Sequence, residues 1–598
     1  MRDNAKPCQH SLSNEVEYKE VVVIGNGPSG LVTSFMLAGN VPYLKQIPDD
    51  LPVEEMLKAR LSNLPVGQNL YETDLLELAE GLEGRSQNPV PLLMDNLLRP
   101  CADLGIQADP LIEWKYDVEK QIDHIVLGRG PAGGAWAGFP AGVRTLSPSA
   151  WLTLPPHAPV CGDRLPASAV ADYYRRYVRA TKLKRYFRNG VVVTSVRCAP
   201  RPLTPPCSRA CPLAAVYCVA GFDKSEGRPF RYLCRRVVLA CGAGDRPNTL
   251  EPNIAKYSLH SLADFQTALQ NSEPSEPPVL AVGSGVSCAD ATRLSARAAR
   301  AVAHVHRAPA RALARLEPAL YPGYYQIYKM MCDGENGNYP NYKSYPNHVI
   351  VDVTPEEAPP HSDPRKNPTT RPKRVKLLNV ATNELTEIIV SIIIVLIGSK
   401  PDLFFLQTNF NLNCIELDSE CIKCTDNQVK KKIEDSRQWF LKEHWHYIKT
   451  VLGQSIQSCK SRLNSTEING NTNTKCVLPD CNKRSENKCT CNNLISKLEN
   501  GIIKTNVEND KCVCDYLEKV KCRCPTNSYS NGVGFGIDPK QPVDGRNPIA
   551  IDKSTHELLN APKGIYALGP LTADNFVRFI PGGALAIVAH IHKEKTAE

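Results

Sequence analysis

The chain has 598 residues, 42% of them apolar, and a formal net charge of +9. Its length exceeds what one hydrophobic core organises, which predicts two or three packed domains and excludes a chain disordered throughout. The basic excess does not mark a nucleic-acid binder, because residues 420–524 alone carry 19 Lys and Arg against 13 Asp and Glu.

Residues 1–18 read as a polar tail, without the cationic, apolar and small-residue succession of a secretory signal, so a reducing, cytoplasmic setting with free thiols is expected. The first readable element is a short apolar strand, Val21 to Ile24. It runs into Gly25, Gly27 and Gly30 in GxGxxG spacing, then into a helix opening "LVTSFMLAG". The first glycine permits a tight turn, the second lets backbone approach a pyrophosphate, and the third lets helix pack closely on strand. The phosphates then meet the free N–H groups of a helix N-terminus.

Residues 41–120 read as an insertion, with helical pattern in "ETDLLELAEGL" and "PVPLLMDNLL", placed to cap the first domain or shape a substrate entrance. The next strand, "DHIVLGRG", is the best candidate for the second strand of the dinucleotide fold. It ends in Gly128 and Arg129, where an acid usually meets the adenosine ribose. "VVLACGAGDRPN" and "IIIVLIGSKPDLFFL" are strands running into a glycine turn and a proline, as expected where a chain crosses between two nucleotide domains.

A second glycine turn follows "PPVLAV", with Gly283, Gly285 and Ser287, but Cys288 stands where a third glycine is usual. A helix and strand then lead to Arg307, 22 residues past Gly285. An arginine there suits the 2′-phosphate of NADP better than an acid would, the alternative being an ordinary solvated charge. The apolar run "EIIVSIIIVLIG" is too short to span a membrane and reads as one strand buried in a parallel sheet.

Twelve of the 23 cysteines lie between Cys414 and Cys524, eight of them in one CxxC and three CxC pairs, amid polar residues. Zinc sites favour other spacings, so no metal is assigned, and a disordered basic insertion is the leading reading over a metal-binding or redox loop. Residues 564–593 then give a strand, a loop and a helix that close the first domain. The fold class is therefore α/β, with two Rossmann-like dinucleotide-binding domains, the NADP domain inserted in a discontinuous FAD domain, plus the low-complexity cysteine-rich insertion. The domains are residues 19–272 and 532–598 for FAD, 273–400 for NADP, and 401–531 for linker and insertion.

The order of GxGxxG at Gly25, "GGAW" at Gly133 to Trp136, the two strand–turn–proline elements and GxGxS at Gly283 resembles the flavin-dependent monooxygenases. More specifically, "GPAGGAWAGFPAGVRTLSPSAWLTLP", "LYPGYYQIYKMM" and "LGPLTADNFVRFIPGGALAIVAHI" are similar to the oxidative stress-induced growth inhibitor family. That resemblance implies an FAD- and NADPH-dependent monooxygenase in which oxygen adds to reduced flavin as a peroxyflavin and an unknown small-molecule or protein substrate is oxygenated. It also implies protein partners, a midbody or cytoskeletal association, and roles in growth restraint, cell death and cytokinesis. Gly134 and Trp136 would pack at the flavin, and Gly569 and Asp574 would line its ribityl and pyrophosphate groups. Asn575 and Arg578 are candidates for contact with flavin or NADP, and His260 in "YSLHSLADF" for a linker role. The alternative is a regulatory scaffold that keeps the fold without catalysis.

Overall fold

The computed structural model describes residues 16–48, 50–106, 108–157, 162–199, 211–307, 311–356, 368–406 and 548–597. The polar tail up to residue 15 and the cysteine-rich stretch 407–547 lie outside the described residues.

The first glycine turn joins β1 (Val16–Ile24) to α1 (Pro28–Leu37), whose residues from Ser29 onward are all buried. The expected insertion follows. Its ends pair as an antiparallel ribbon, Asn40–Leu44 on Ile112–Tyr116, and it carries α2 (Pro89–Leu98). Next come β2 (His124–Gly128), α3 (Ala167–Ala180) and β3 (Phe187–Asn189), then an antiparallel meander of β4 (Val191–Cys198), β5 (Tyr217–Asp223) and β6 (Pro229–Leu239). The sheet order is β3-β2-β1-β6-β5-β4, with β2, β1 and β6 parallel. β2 therefore stands beside β1 as the second strand of a dinucleotide fold.

A second, parallel sheet is formed from the middle of the chain. β7 (Val279–Val282) leads through the second glycine turn into α4 (Val286–Arg297), followed by β8 (Val302–His306), β9 (Tyr342–Pro346) and β10 (Ile393–Val395). Its order is β10-β7-β8-β9, with the two-residue strand Ser258–Leu259 parallel to β10 at the edge, and β7, β8 and β10 lie in the protein's interior. The two connections between the sheets pair antiparallel, Arg246–Pro247 on Ser399–Lys400.

The chain then returns to the first sheet. β11 (Ile565–Ala567) lies parallel to the last three residues of β6, and α5 (Ile580–Ala597) packs beside α1 and α2. Val21, Val23, Leu31, Val32 and Met36 join Leu93, Leu97, Leu585 and Val588 in one core that includes the insertion.

The apolar run Glu387–Gly398 is divided between two sheets. Its first part ends an antiparallel meander at Leu385–Val390, and its second part is β10. The break is Ser391, fully buried, whose hydroxyl donates to the Pro277 carbonyl at 2.8 Å. A polar anchor inside an apolar run is stable only where its hydrogen bond is satisfied, and here that bond fixes the change of sheet.

Candidate functional site

The site is assembled where three loops meet the N-terminus of α1. Gly25 has φ +115°, and a Cβ there would stand 2.3 Å from the Ala240 carbonyl oxygen. A Cβ on Gly30 would stand 1.9 Å from the Gly25 oxygen, so the third glycine lets α1 close onto the turn. Gly27 is the N-cap and Pro28 the first helical residue. Ser29 and Gly30 thus hold positions whose N–H groups have no carbonyl one turn earlier.

The "GGAW" loop packs directly on this turn. The Gly133 amide donates to the Asn26 carbonyl at 2.9 Å. A Cβ on Gly134, which has φ +61°, would come within 2.8 Å of the Gly27 Cα. From the other end of the chain, a Cβ on Gly569 (φ +72°) would lie 2.4 Å from the Ser29 hydroxyl. Two glycines from segments more than 100 residues apart, Gly134 and Gly569, are thus needed for the close approach to the helix end. Trp136 is half-buried beside the first core and meets Phe139 edge-on at 5.7 Å.

The structure does not bring all the candidates to this point. Asp574 is buried and its carboxylate accepts from the Ser86 hydroxyl and from Asn88 Nδ2 at 2.9 Å, both in the insertion. Burial pushes its pKa up to about 7, against the pull of those two hydrogen bonds. Arg578 is likewise committed. Its Nε donates to Asp95 at 2.8 Å and a terminal nitrogen to Asp103 at 2.8 Å, while the guanidinium lies 4.3 Å over the Trp151 ring. Asn575 is exposed, and its side-chain amide donates to the Ala573 carbonyl. Asp574 and Arg578 bind the end of the chain to the insertion rather than opening toward the glycine turn, and Asn575 stays on its own loop.

The second turn has the same mechanics and one difference. Gly283, at φ +136°, admits the Leu396 carbonyl oxygen 2.3 Å from where a Cβ would sit, and Gly285 faces open space. Ser287 is exposed on the first turn of α4. Cys288, in place of the third glycine, is buried with its sulfur 3.3 Å from His304 Nε2. That same nitrogen is 2.7 Å from the Gly283 carbonyl oxygen, and Nδ1 is 2.8 Å from the Tyr342 hydroxyl. Burial lowers the His304 pKa to about 4, so the ring is neutral; it donates to Gly283 and accepts from Tyr342. Arg307 is exposed directly after β8. His260 sits in the connection before Leu262–Gln270, half-buried, with Nε2 unpartnered and its pKa lowered by burial.

Two features escape a motif search. Arg129, after β2, pairs with Asp402 at 3.2 Å and Asp245 at 3.7 Å, one from each connection between the sheets. Asn26, inside the first glycine turn, spans the ends of β2 and β3. The only sequence signal for either is the absence of an acid at Gly128.

Among the described residues no group of His, Cys, Asp and Glu could hold a metal ion, and no helix is long and apolar enough to cross a membrane. No family model matches the chain. It is 29% identical to mouse oxidative stress-induced growth inhibitor 1, over 96% of this chain and 95% of that protein. To human oxidative stress-induced growth inhibitor 2 it is 30% identical, over 69% of this chain and 85% of that protein. Among solved structures, a bacillithiol disulfide reductase from Bacillus cereus is 14% identical at a TM-score of 0.39, covering 65% of this chain and 81% of that one. An ornithine N-hydroxylase from Kutzneria is 12% identical at a TM-score of 0.38, covering 67% and 86%. With two Rossmann-like sheets, one inserted in the other, and with these relatives, the chain belongs to the oxidative stress-induced growth inhibitor family.

Proposed function

We propose that this chain is an FAD-dependent, NADPH-consuming monooxygenase acting on a small-molecule or protein-linked substrate, in a growth-regulating role. The observation that carries this reading is the convergence of Gly27, Gly134 and Gly569 on the N-terminus of α1. A side chain on Gly134 would meet Gly27 backbone and one on Gly569 the Ser29 hydroxyl, and the Ser29 and Gly30 amides at the helix start are without a carbonyl one turn earlier, which suits a dinucleotide pyrophosphate. The chemistry of FAD when bound is to accept a hydride from a nicotinamide and deliver electrons to dioxygen, with NADPH, a proton, oxygen and substrate giving NADP+, water and oxygenated substrate.

The residues of this chain bind, orient and exclude water. The Ser29 and Gly30 amides would hold the FAD pyrophosphate. Gly134 and Gly569 would let backbone close around it, and Trp136 would wall the flavin side. Gly283, Gly285 and Ser287 would hold the nicotinamide dinucleotide, and Arg307 its 2′-phosphate. No triad or carboxylate pair is required by such chemistry.

A second reading, a regulatory scaffold with the fold but no turnover, is favoured by Asp574 and Arg578, whose polar groups are spent on the insertion. The visible spectrum of the purified protein, before and after anaerobic NADPH, decides between them. Flavin bands that bleach with NADPH and return with oxygen support the enzyme. A colourless protein that takes up no added FAD leaves the scaffold.

A further inference from the structure

The end of β2 lacks the acid that usually accepts a hydrogen bond from the adenosine ribose, and its last residue is Gly128. A Cβ at Gly128 would stand 2.2 Å from both Cγ and Nδ2 of Asn26. The amide of Asn26 therefore fills the space into which a side chain of residue 128 would project.

Its orientation is fixed by its neighbours. Nδ2 donates to the Gly130 carbonyl at 2.7 Å and to Asn189 Oδ1 at 2.8 Å. A carbonyl can only accept, so the nitrogen must lie on that side, and both of its hydrogens are used. Oδ1 then remains as an acceptor, with no donor among the described residues, and it is not sealed from solvent. It lies outside the carboxyl ends of β1 and β2, the crevice in which this fold holds the adenosine half of a dinucleotide. The residue itself is 4% exposed, so the amide is preorganised at little entropic cost on binding.

We infer that Asn26 is the ribose-reading residue of the first dinucleotide site, its side-chain oxygen accepting from an adenosine ribose hydroxyl in place of the missing acid. A neutral acceptor also suits the neighbourhood, because Arg129 already spends its charge on Asp245 and Asp402. The inference rests on the FAD reading and deepens it.

The test is a binding titration on the apoprotein, by flavin fluorescence quenching, with FAD and with its 2′,3′-dideoxyadenosine analogue. One neutral hydrogen bond predicts that the wild-type protein binds the analogue about three- to tenfold more weakly. In Asn26→Ala, FAD binding weakens and the preference between the two ligands disappears. A merely structural role for Asn26 would weaken both ligands alike and leave the preference intact. Equal binding of both ligands by the wild-type protein, or a preference that survives in Asn26→Ala, overturns the inference while the cofactor reading stands. The wild-type comparison needs no variant to fold. A wild-type protein that binds neither ligand overturns the cofactor reading and this inference with it.

Discussion

Replacing Arg578 with methionine tests whether the insertion is bolted to the end of the chain. Arg578 and Asp95 are 2% and 3% exposed, and the guanidinium is shared between Asp95 and Asp103. Removing one partner of a buried ion pair strands the other, at a cost of about 3–5 kcal/mol. Asp95 keeps Arg99 at 3.4 Å, which places the loss near the lower figure, and the lost stacking over Trp151 adds about 0.5–2 kcal/mol. At roughly 2–4 °C per kcal/mol for a domain of a few hundred residues, a loss of about 3.5–5 kcal/mol should lower the melting temperature by about 7–20 °C. Hydrogen exchange should speed up in Pro89–Leu98. Removing Asp95 as well, in Arg578→Met with Asp95→Leu, should not recover the loss, because the buried Arg99 guanidinium then loses its own carboxylate partner. A single variant melting within about 2 °C of wild type would refute the clasp.

Asp574 predicts a pH dependence of unusual sign. Its folded pKa is about 7, above the ordinary carboxyl value near 3.9, so the folded state favours the protonated form. Its penalty is absent below about pH 4, grows as the pH rises and is complete above about pH 7, with an upper size of about 4 kcal/mol. Thermal melts of wild type and Asp574→Asn should therefore converge at about pH 4 and separate by about pH 7.5, the wild type lying lower; parallel curves would disprove the assignment. Gly134→Ala and Gly569→Ala force a side chain into left-handed backbone and into contact with the α1 turn. FAD affinity measured by quenching should drop about tenfold or more in each, while Gly67→Ala, at φ +78° with open space around it, should bind as wild type does. Arg307→Ser should weaken NADPH about tenfold and leave NADH unchanged in the same titration format, as expected for loss of a charge-assisted contact to one phosphate.

The glycine turns were legible because their constraints are local. Gly25 and Gly30 contact each other within six residues, and the strand before and helix after are written in the same stretch. The insertion was legible as a length of chain between α1 and β2, but its purpose was not. Ser86, Asn88 and Asp95 meet Asp574 and Arg578 from more than 480 residues away, and no periodicity reports such a pairing. Motif reasoning therefore assigned two anchoring residues to a cofactor. Ser391 shows the same limit on a small scale: hydropathy joined Glu387–Gly398 into one strand, and a single buried hydroxyl divides it. Asn26 is the converse case. The x of a GxG motif is ordinarily silent, and only the collision a Cβ at Gly128 would suffer reveals that the Asn26 side chain has taken over a neighbouring strand's position.

The distance between Ser29 and Gly569 along the chain also sets a schedule. At about 5–20 residues per second of synthesis, the first helix waits roughly half a minute to two minutes for the segment that covers it. During that interval Leu31, Val32, Phe35 and Met36, each at most 2% exposed in the finished protein, lack α5 as a partner. The strands of the second sheet, by contrast, are all translated within residues 258–395. A nascent chain of this protein should thus carry a finished inner sheet and an open outer one, making the earliest-made element the last to be protected and a natural client for chaperones. A message cut short before residue 548 would yield the inner sheet without β11 and α5, which close the first sheet.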